Sequence, residues 1–540
     1  MPLRGRTRGW PATAWVLGLA SIIWISGGWH AEAAARASRP AGPRSWTVYH
    51  GDAAGTGVAG RVGAVDTTAP AWTSPVLDGQ IYGEPLVFGG RVYVATERDT
   101  VYALSAATGA VAWSAHLGPP VPASSLPCGD IAPTVGITGT PVIDRARHEI
   151  FVVADELAQH TPAHLLVGLS TASGRREMTT DVDPSGADTA ALLQRTGLTL
   201  DAGQVVFGFG GNFGDCAAYR GTLVAVPEKG GTPKDFTVDA APGESQGAIW
   251  MGGAAPAVDR RGHIWVSVGN GSVRSRGHTY DDSDSVLELS PSLRLLQFFA
   301  PSNWAANNSQ DLDMSTEPAL LPDGQVIVAG KSRIVYLLNG TRLGGIGGAQ
   351  AALGGVCGKE LFGGTAVVGR TVYLPCFSGV IAVRATKSPA RISLTWSTQT
   401  GGGPPIVAAG LVWTIGRNGT LYGLDPATGR IRQQAAVGVL ANHFPTPSLA
   451  DGLLLAASAR RVVAFRATAH GSPASLAPTV TPSTPSAAST TPASQPGSPP
   501  AASHGGSLPA AALGGMVAGG AVLIGGIGWL LWRRRSSRAG

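Results

Sequence analysis

Short stretches in which apolar and polar residues alternate dominate the chain between residues 45 and 467, and helical periodicity is nearly absent there. One such stretch, VYVATERDTVYALSAATGAVAWS at residues 92–114, contains a strand pattern, a polar turn, a second strand, a tight ATG turn and a third strand. Alternation with a period of two is typical of strands with one buried face, and Gly, Thr and Asp mark the turns. The pattern therefore predicts an all-β domain built from hairpins.

The same hairpin unit returns along the chain. Residues 412–434, VWTIGRNGTLYGLDPATGRIRQQ, repeat it closely, and six weaker copies are also present. The units begin at residues 92, 150, 205, 264, 326, 372, 412 and 453. Repeats about 40 to 60 residues apart that contain only strands are typical of a β-propeller, in which each blade buries its faces against its neighbours. The sequence therefore predicts an eight-bladed β-propeller, with seven blades as the alternative count.

A glycine-rich stretch, GFGGNFGDCAAYRG at residues 208–221, has glycines spaced roughly like those of a dinucleotide-binding loop. A loop of that kind needs a following helix, whose N-terminus binds the phosphates. Here the next residues, GTLVAVP, have the pattern of a strand. The stretch therefore predicts the channel end of an inner strand and not a nucleotide site.

The beginning of the chain has the organisation of a secretory signal peptide. Arg4, Arg6 and Arg8 precede an apolar run at residues 11–28, and small residues follow at 31–37. This order of positive, apolar and small segments predicts a signal peptide over residues 1–37, with an uncleaved anchor as the alternative. The propeller would then occupy residues 38–467.

The other end of the chain predicts attachment to a membrane. Residues 468–508 are almost entirely Ala, Pro, Ser, Thr and Gly, which predicts a disordered stalk. Residues 509–532 carry no charge and are long enough for one transmembrane helix. The basic tail at residues 533–540 is expected to stay in the cytoplasm, which places the propeller on the extracytoplasmic side of the cell membrane.

The net charge excludes a nucleic-acid partner. The formal charge of +6 includes seven arginines of the terminal segments, and the exported part has a charge of about −1 without them. A protein of that charge has no broad basic field to attract phosphates. The partner is therefore expected to be a small ligand or an envelope protein, which the sequence does not name.

Four cysteines, Cys128, Cys216, Cys357 and Cys376, lie in the predicted propeller. An even number in an exported chain favours disulfides, and four cysteines allow three pairings. We expect Cys128–Cys216 and Cys357–Cys376, because the second pair is close in sequence; free buried thiols are the alternative. No CxxC spacing supports zinc binding.

The repeats VYALSAATGAVAWS and LYGLDPATGRI resemble the pyrroloquinoline-quinone (PQQ) type of propeller repeat, and the likeness extends over residues 45–467. The segment SWTVYHGDAAGTG at residues 45–57 resembles the start of that family, in which the N-terminal segment commonly helps to close the ring. The same repeat occurs in quinone-dependent alcohol dehydrogenases and in non-catalytic propellers of envelope assembly. The fold alone therefore does not decide the function.

Three residues in the middle of the chain match cofactor-binding positions of the dehydrogenases. The resemblance implies that Trp250, in GAIWMGGAAPAVD, forms the floor under the quinone. It further implies that Asn270, in VSVGNGSVRSRG, is a calcium ligand and that Lys331, in AGKSRIVYLLNG, is a cation touching the quinone. An aromatic floor, an oxygen ligand and a cation would suit PQQ and calcium as cofactors.

Other positions depart from the dehydrogenase pattern. Asn212 stands where these enzymes have a calcium-ligand Glu, and Asn303 is the nearest match to their catalytic Asp. An amide cannot act as a carboxylate base. Their vicinal disulfide is also absent, since only Cys128 lies in the corresponding region. Asp311 and Asp313 remain the alternative as a displaced base.

Two further polar clusters are candidate metal sites. The run YDDSDSVLE offers Asp281, Asp282 and Asp284, but its spacing departs from an EF-hand, and a solvated blade loop is the simpler interpretation. His160 and His164 are four residues apart in a stretch with a loop-like composition, which disfavours a joint metal site.

The loss of two carboxylates predicts a channel without the acidic groups that oxidation would require. The sequence therefore favours a non-catalytic binding or scaffolding module of the cell envelope. The alternative is a PQQ-binding oxidoreductase with altered metal ligands.

Overall fold

Eight sheets of four or five strands, one for each predicted repeat, make up most of the folded part of the chain. They are antiparallel except at the edge of blade 4, where Gly345–Ile346 pairs in parallel with Leu295–Ala300. A computed structural model describes residues 45–468, except residues 61 and 443. The predicted signal peptide, transmembrane helix and basic tail lie outside the described residues, and so does the predicted stalk except for Thr468, whose N–H donates to the carbonyl of Ala64 at 2.9 Å. The eight sheets confirm the eight-bladed β-propeller.

We number the blades 1 to 8 in chain order. The strands of blades 1 to 4 are Leu86–Phe88, Arg91–Thr96, Thr100–Ser105 and Val111–His116; Val142–Asp144, Glu149–Ala158, Thr161–Ser170 and Arg176–Asp181; Leu192–Leu193, Thr199–Asp201, Gln204–Gly211, Thr222–Pro227 and Lys234–Thr237; Ala257–Val258, Ile264–Val268, Ser285–Leu289, Leu295–Ala300 and Gly345–Ile346.

The strands of blades 5 to 8 are Ala319–Leu320, Gln325–Val328, Ile334–Asn339 and Ala351–Gly354; Ala366–Val368, Thr371–Cys376, Gly379–Lys387 and Ala390–Thr398; Ile406–Ala408, Leu411–Gly416, Thr420–Leu424 and Ile431–Ala436; Ser448–Ala450, Leu453–Ser458, Arg461–Arg466 and Trp72–Thr73. A short pair, Val121–Pro122 with Thr134–Val135, lies between blades 1 and 2. The helices are the α-helix Trp304–Ser309 and the 3-10 turns Tyr49–Gly51, Ala123–Ser125 and Met251–Gly253.

Burial follows the position of a strand within its blade. The second strands are buried on both faces, as in Leu453–Ser458, because each blade packs between two others. The outermost strands alternate between exposed and partly buried residues, as in Val111–His116. The half-buried strands that alternation predicts are therefore found mainly at the outer edge of the ring.

The ring is closed by a strand from the beginning of the domain. Trp72–Thr73 pairs with Arg461–Arg466, so that blade 8 combines three C-terminal strands with an N-terminal one. The Trp72 indole also contacts blade 1, where Nε1 donates to the carbonyl of Ala106 at 2.9 Å. A side-chain carbon on Gly109 would overlap this indole. Trp72 therefore joins the last blade to the first.

The same joint recurs between other blades. Trp113 on the outer strand of blade 1 donates to the carbonyl of Thr171 at 3.1 Å and covers Gly174 in blade 2. Trp396 on the outer strand of blade 6 donates to a carbonyl in the 426–429 turn of blade 7 at 3.0 Å and covers Gly429. The indole of the preceding blade thus packs against the tight turn seen in the sequence repeat.

The segment 46–59 crosses the ring instead of closing it. Its main chain bonds to the innermost strands of five blades, through Val87, Ile143, Val258, Val367 and Val407, at 2.6–2.9 Å. We call this segment the plug. The resemblance placed ring closure in the N-terminal segment; the closing strand is Trp72–Thr73, while the plug ties blades across the channel.

Polar side chains fix the plug within the channel. His50 is fully buried; its N–H donates to Glu84 Oε2 at 2.8 Å, and its Nδ1 lies 3.0 Å from the carbonyl of Thr365. Burial lowers the pKa of His50 to about 4, so the ring is neutral at pH 7. The Tyr49 hydroxyl accepts a hydrogen bond from the Gly364 N–H at 3.1 Å. These contacts connect the blade 1 and blade 6 sides of the channel.

The disulfides Cys128–Cys216 and Cys357–Cys376 both form, which confirms the expected pairing. They close loops of very different length, with sequence separations of 88 and 19 residues. As for membrane attachment, none of the helices in residues 45–468 is long and apolar enough to span a bilayer.

The Trp joint predicts that Gly109→Ala is more damaging than the same change at Gly410. Both glycines have a positive φ, +73° and +74°, but nothing lies within 4 Å of a side-chain carbon on Gly410. Gly410→Ala should cost about 1 kcal/mol through backbone strain alone. Gly109→Ala should cost roughly 2–4 kcal/mol, because overpacking against Trp72 adds to the strain. Chemical denaturation would measure both, and equal losses would contradict the role of the joint.

Candidate functional site

The residues that fill the centre of the ring occupy equivalent places in the eight blades. Each lies four residues before the innermost strand, which in blade 3 is Thr199–Asp201. They are Tyr82, Thr138, Arg195, Gly253, Ser315, Phe362, Gly402 and Phe444. Because the innermost strands surround the axis, the segments that enter them converge there.

Arg195 joins several of these positions. Its side chain is 7% exposed, and Nη1 donates to the carbonyl of Thr138 at 3.0 Å. The guanidinium carbon lies 5.9 Å from the centre of the Tyr82 ring and 6.0 Å from that of Phe444. A side-chain carbon on Gly253 would lie 2.6 Å from Nη1. One cation therefore contacts blades 1, 2, 4 and 8, and the channel is filled at this level.

Aromatic side chains surround the channel next to Arg195. Trp250 lies 5.7 Å from Phe362 and 6.0 Å from Phe444, and the two Phe rings are 5.5 Å apart, measured between ring centres. Phe377 continues the group at 6.3 Å from Phe362, with the guanidinium of Arg417 4.1 Å above its ring. We call the four aromatic residues the channel-mouth cluster. All four are partly exposed, and the cations Lys331, Arg195 and Arg417 lie 4.1–6.0 Å from the ring centres of Trp250, Phe444 and Phe377.

Lys331 connects this cluster to two carboxylates. Its Nζ lies 5.8 Å from the centre of the Trp250 ring, 2.6 Å from Asp311 Oδ1 and 2.7 Å from Asp313 Oδ2. Burial lowers the pKa of Lys331, but the charges of Asp313 and Asp311 outweigh burial and raise it above its usual value. Lys331 is therefore a permanent cation that both carboxylates neutralise.

Asn270 binds the same two carboxylates. Its backbone N–H donates to Asp313 Oδ1 at 2.7 Å. In the orientation that satisfies its hydrogen bonds, its amide nitrogen donates to Asp313 and, at 3.1 Å, to Asp311 Oδ1. The Asn270 amide thus presents donors, and not its oxygen, to the acidic pair.

The prediction of a channel without acidic groups is wrong, because Asp311 and Asp313 lie beside Lys331 and Trp250. A left-handed backbone at Asp311, with φ +55°, turns the chain after the helix Trp304–Ser309 back towards Lys331. Burial and then the charge of Asp313 raise the pKa of Asp311 to about 6, against the effect of Lys331. Sequence spacing gave no sign of this turn.

Asn212 and Asn303 stand where the dehydrogenases have carboxylates. Both lie apart from Lys331 and its two carboxylates. Asn212 is 5% exposed and its Nδ2 donates to the carbonyl of Ala190 at 2.9 Å, beside a cavity of about 20 Å³ next to Cys128. Asn303 is exposed and its Nδ2 donates to Asn307 Oδ1 at 2.8 Å. In the part of the chain that the structure describes, neither amide contacts Trp250 or Lys331. The structure therefore unites Trp250, Asn270 and Lys331 but not Asn212, and their quinone-binding role stays a prediction.

The acidic run 281–284 is not the solvated loop that its composition suggested. Asp281 is 5% exposed and Asp284 is 1% exposed. Asp284 Oδ2 accepts from Asn307 Nδ2 at 2.6 Å, and burial raises the pKa of Asp284 well above its usual range. The tertiary structure thus places carboxylates in the interior, which an acidic sequence pattern does not indicate.

His160 and His164 do not form a joint site. His160 is exposed at a hairpin turn, whereas His164 lies buried in the strand Thr161–Ser170. His164 Nδ1 is 2.7 Å from Asp183 Oδ1, and its Nε2 is 3.7 Å from Asp155 Oδ2. His164 therefore belongs to a buried ion pair.

The sequence interpretation missed Arg195, Phe362 and Phe444. No local motif marks them, because their neighbours differ from blade to blade. Their shared signal is their place four residues before an innermost strand, which an alignment of the eight repeats on those strands would have shown.

Comparison with known proteins supports the fold. The PQQ-like family model described as "Outer membrane protein assembly factor BamB" matches residues 28–275, a little under half of the chain. A search of curated protein sequences finds no significant match.

Solved structures of similar fold include three dehydrogenases. The quinohemoprotein alcohol dehydrogenases of Comamonas testosteroni and Pseudomonas putida match with TM-scores of 0.59 and 0.58 at 17% and 15% identity. These matches cover 81% and 82% of this chain, and 82% and 83% of those chains. A europium-containing methanol dehydrogenase matches with a TM-score of 0.57 at 13% identity, over 78% of this chain and 98% of that one. At these identities the likeness shows the fold alone.

The ion-pair geometry predicts that Lys331→Gln destabilises the protein by roughly 3 kcal/mol, because Asp313 is left buried without its cation. The double variant Lys331→Gln/Asp313→Asn should recover part of the loss, with a coupling of about 1–2 kcal/mol. Arg175→Gln is the matched control, since Arg175 and Glu177 form an exposed pair, 72% and 36% exposed, and should cost less than about 1 kcal/mol. Denaturation of these three variants, and of the single variant Asp313→Asn that the coupling requires, would test this. A loss at Lys331 no larger than at Arg175 would refute it.

Proposed function

We propose that this chain, an eight-bladed propeller of the PQQ-like repeat type, is a non-catalytic binding or scaffolding module of the cell envelope. The channel-mouth cluster is its proposed binding surface. Four partly exposed aromatic rings lie next to Arg195, Lys331 and Arg417, a combination that suits a ligand or partner segment with a flat apolar part and an acidic group.

The proposal rests mainly on the ion pairs that Lys331 forms with Asp311 and Asp313. A general base must have a carboxylate oxygen free to accept a proton from the substrate. Both Asp311 and Asp313 instead bind the Lys331 ammonium, at 2.6 and 2.7 Å, and Asn270 donates to both. Asp313, which is 6% exposed, is thus engaged by the protein itself, and this supports binding over oxidation. Asp311 is paired with Lys331 through Oδ1 but is 63% exposed, so the dye-reduction assay below also tests whether Asp311 acts as a base.

Calcium does not fit this arrangement. Calcium takes six to eight oxygen ligands, several of them charged. Here the Lys331 ammonium holds the place between the two carboxylates, and Asn270 turns its amide nitrogen towards them. The Trp250 face is chemically suited to a flat ring. The calcium ion that such a cofactor requires would find the oxygens of Asp311 and Asp313 already bound by Lys331 and Asn270.

The second candidate function is a PQQ-binding oxidoreductase with altered metal ligands. It is favoured by the position of Lys331 over the Trp250 ring and by the two carboxylates next to Asn270. This function requires Lys331 to leave the carboxylates when the cofactor binds.

We also propose that the propeller lies on the extracytoplasmic side of the membrane, held by a single span at residues 509–532. The support comes from the order of the predicted signal peptide, stalk, apolar segment and basic tail in the sequence. Two disulfides in the propeller are in keeping with an oxidising compartment.

For the non-catalytic function, we expect the detergent-solubilised chain supplied with PQQ and calcium to show no dye reduction with alcohols or sugars. A quinoprotein alcohol dehydrogenase assayed in parallel provides the positive control. Quinone that is retained by the wild type but not by Trp250→Ala, without turnover, would assign the channel-mouth cluster a binding role. Calcium-dependent turnover would overturn the proposal in favour of the second candidate.

For the proposed topology, we expect the full chain to stay with membranes during alkaline carbonate extraction. A chain that ends at residue 508 should be released into the soluble fraction, because the apolar segment would be missing. A chain lacking only residues 533–540 is the control and should stay with the membrane. Release of the full chain by carbonate would contradict a membrane-spanning anchor.

A further inference from the structure

A second acidic group lies between blades 3 and 4, away from Lys331. Asp239 follows the last strand of blade 3, Lys234–Thr237, and Asp281 precedes the blade 4 strand Ser285–Leu289. The Asp239 N–H donates to the carbonyl of Asp281 at 3.2 Å, so the two segments are in direct contact. The site is therefore formed by two blades together.

The carboxylates at this contact are buried, and three of their four oxygens receive no hydrogen bond. Asp239 is 1% exposed, and neither of its oxygens receives a hydrogen bond. Asp281 is 5% exposed; its Oδ1 accepts from the Ser283 hydroxyl at 2.6 Å, while Oδ2 has no partner. Buried carboxylate oxygens are normally satisfied by donors or by a cation, since their desolvation is costly.

No cation of the protein compensates these groups. In residues 45–468, leaving aside the two undescribed positions, no ion pair involves Asp239, Asp281 or Asp282. Arg220, at the edge of the site, donates instead to the main-chain carbonyls of Ala241 and Glu244 at 3.2 Å. Burial, followed by the charges of Asp281 and Glu244, raises the pKa of Asp239 to about 9. This is the opposite of the arrangement at Lys331, where a cation is built into the chain.

Glycines keep the walls of the site close to the carboxylates. A side-chain carbon on Gly271 would lie 2.7 Å from Asp281 Oδ2, and one on Gly247 would lie 3.2 Å from Asp239 Oδ2. The neighbouring Gln246 pairs with Gly271 and has a buried side-chain oxygen, Oε1, without a partner. The region thus offers carboxylate and amide oxygens, which are the ligands that hard divalent cations prefer.

We propose that Asp239 and Asp281 bind a calcium ion that links blade 3 to blade 4, with Gln246 as a further oxygen donor. The ion would displace the proton that the raised pKa of Asp239 retains at neutral pH, and it would satisfy the free oxygens of both side chains. Calcium is preferred to magnesium because its coordination by six to eight oxygens tolerates irregular loop geometry. Asp282 and Glu244 lie at the rim and would favour entry of a cation.

The test is calcium titration of the full chain in detergent after removal of metal by a chelator. Calorimetry should show binding at about 10⁻⁴–10⁻³ M, the range of extracellular calcium modules, and calcium should raise the Tm by several degrees. Asp239→Asn should weaken binding at least tenfold and abolish the rise in Tm. Without calcium its Tm should equal or exceed that of the wild type, because a buried carboxylate without a partner has been removed.

Asp281→Asn is the second variant and should lose calcium binding in the same way. Asp313→Asn, at the Lys331 site, is the matched control and should keep the wild-type calcium response. The proposal is overturned if the wild type shows no calcium binding up to about 10 mM, well above the expected affinity range. It is equally overturned if Asp313→Asn abolishes the response while Asp239→Asn and Asp281→Asn retain it.

Discussion

Docking of one blade onto the next is the constraint on which the rest of the structure depends. A Trp indole from an outer strand covers a left-handed glycine in the turn of the following blade and donates to a carbonyl of that turn. At Trp72 this joint coincides with the closing strand of blade 8, so backbone pairing and side-chain packing seal the ring at the same place. A closed ring leaves no unpaired inner edge and holds the channel segments in a fixed arrangement.

The closed ring explains why the centre of the molecule is filled. The plug binds the innermost strands of five blades, and equivalent residues of several blades meet around Arg195. Side chains distant in sequence thereby form one surface, the channel-mouth cluster. A ligand at this surface would contact many blades at once, so small changes in single loops can alter specificity without altering the fold.

The acidic side chains inside the propeller differ in whether a cation of the protein compensates their charge. Asp311 and Asp313 are neutralised by Lys331, whereas Asp239 and Asp281 have no cation from the chain. In the first arrangement a side chain of the protein supplies the cation; in the second no side chain does, and this contrast is the reason for proposing a calcium link between the blades.

The sequence by itself determined the repeated strand units and their tight turns, because strand alternation and turn residues act locally and repeat. For the cysteines it favoured one of three possible pairings, which the structure confirms. The resemblance to the PQQ-type repeat proteins, and not the pattern of the chain alone, indicated that Trp250, Asn270 and Lys331 belong together. Only the tertiary structure decided that Asp311 and Asp313 reach Lys331, that Asp281 is buried against Asp239, and that Phe444 faces Trp250. These contacts depend on how the ring closes and how each loop turns over the channel, and neither leaves a periodic signal in the chain.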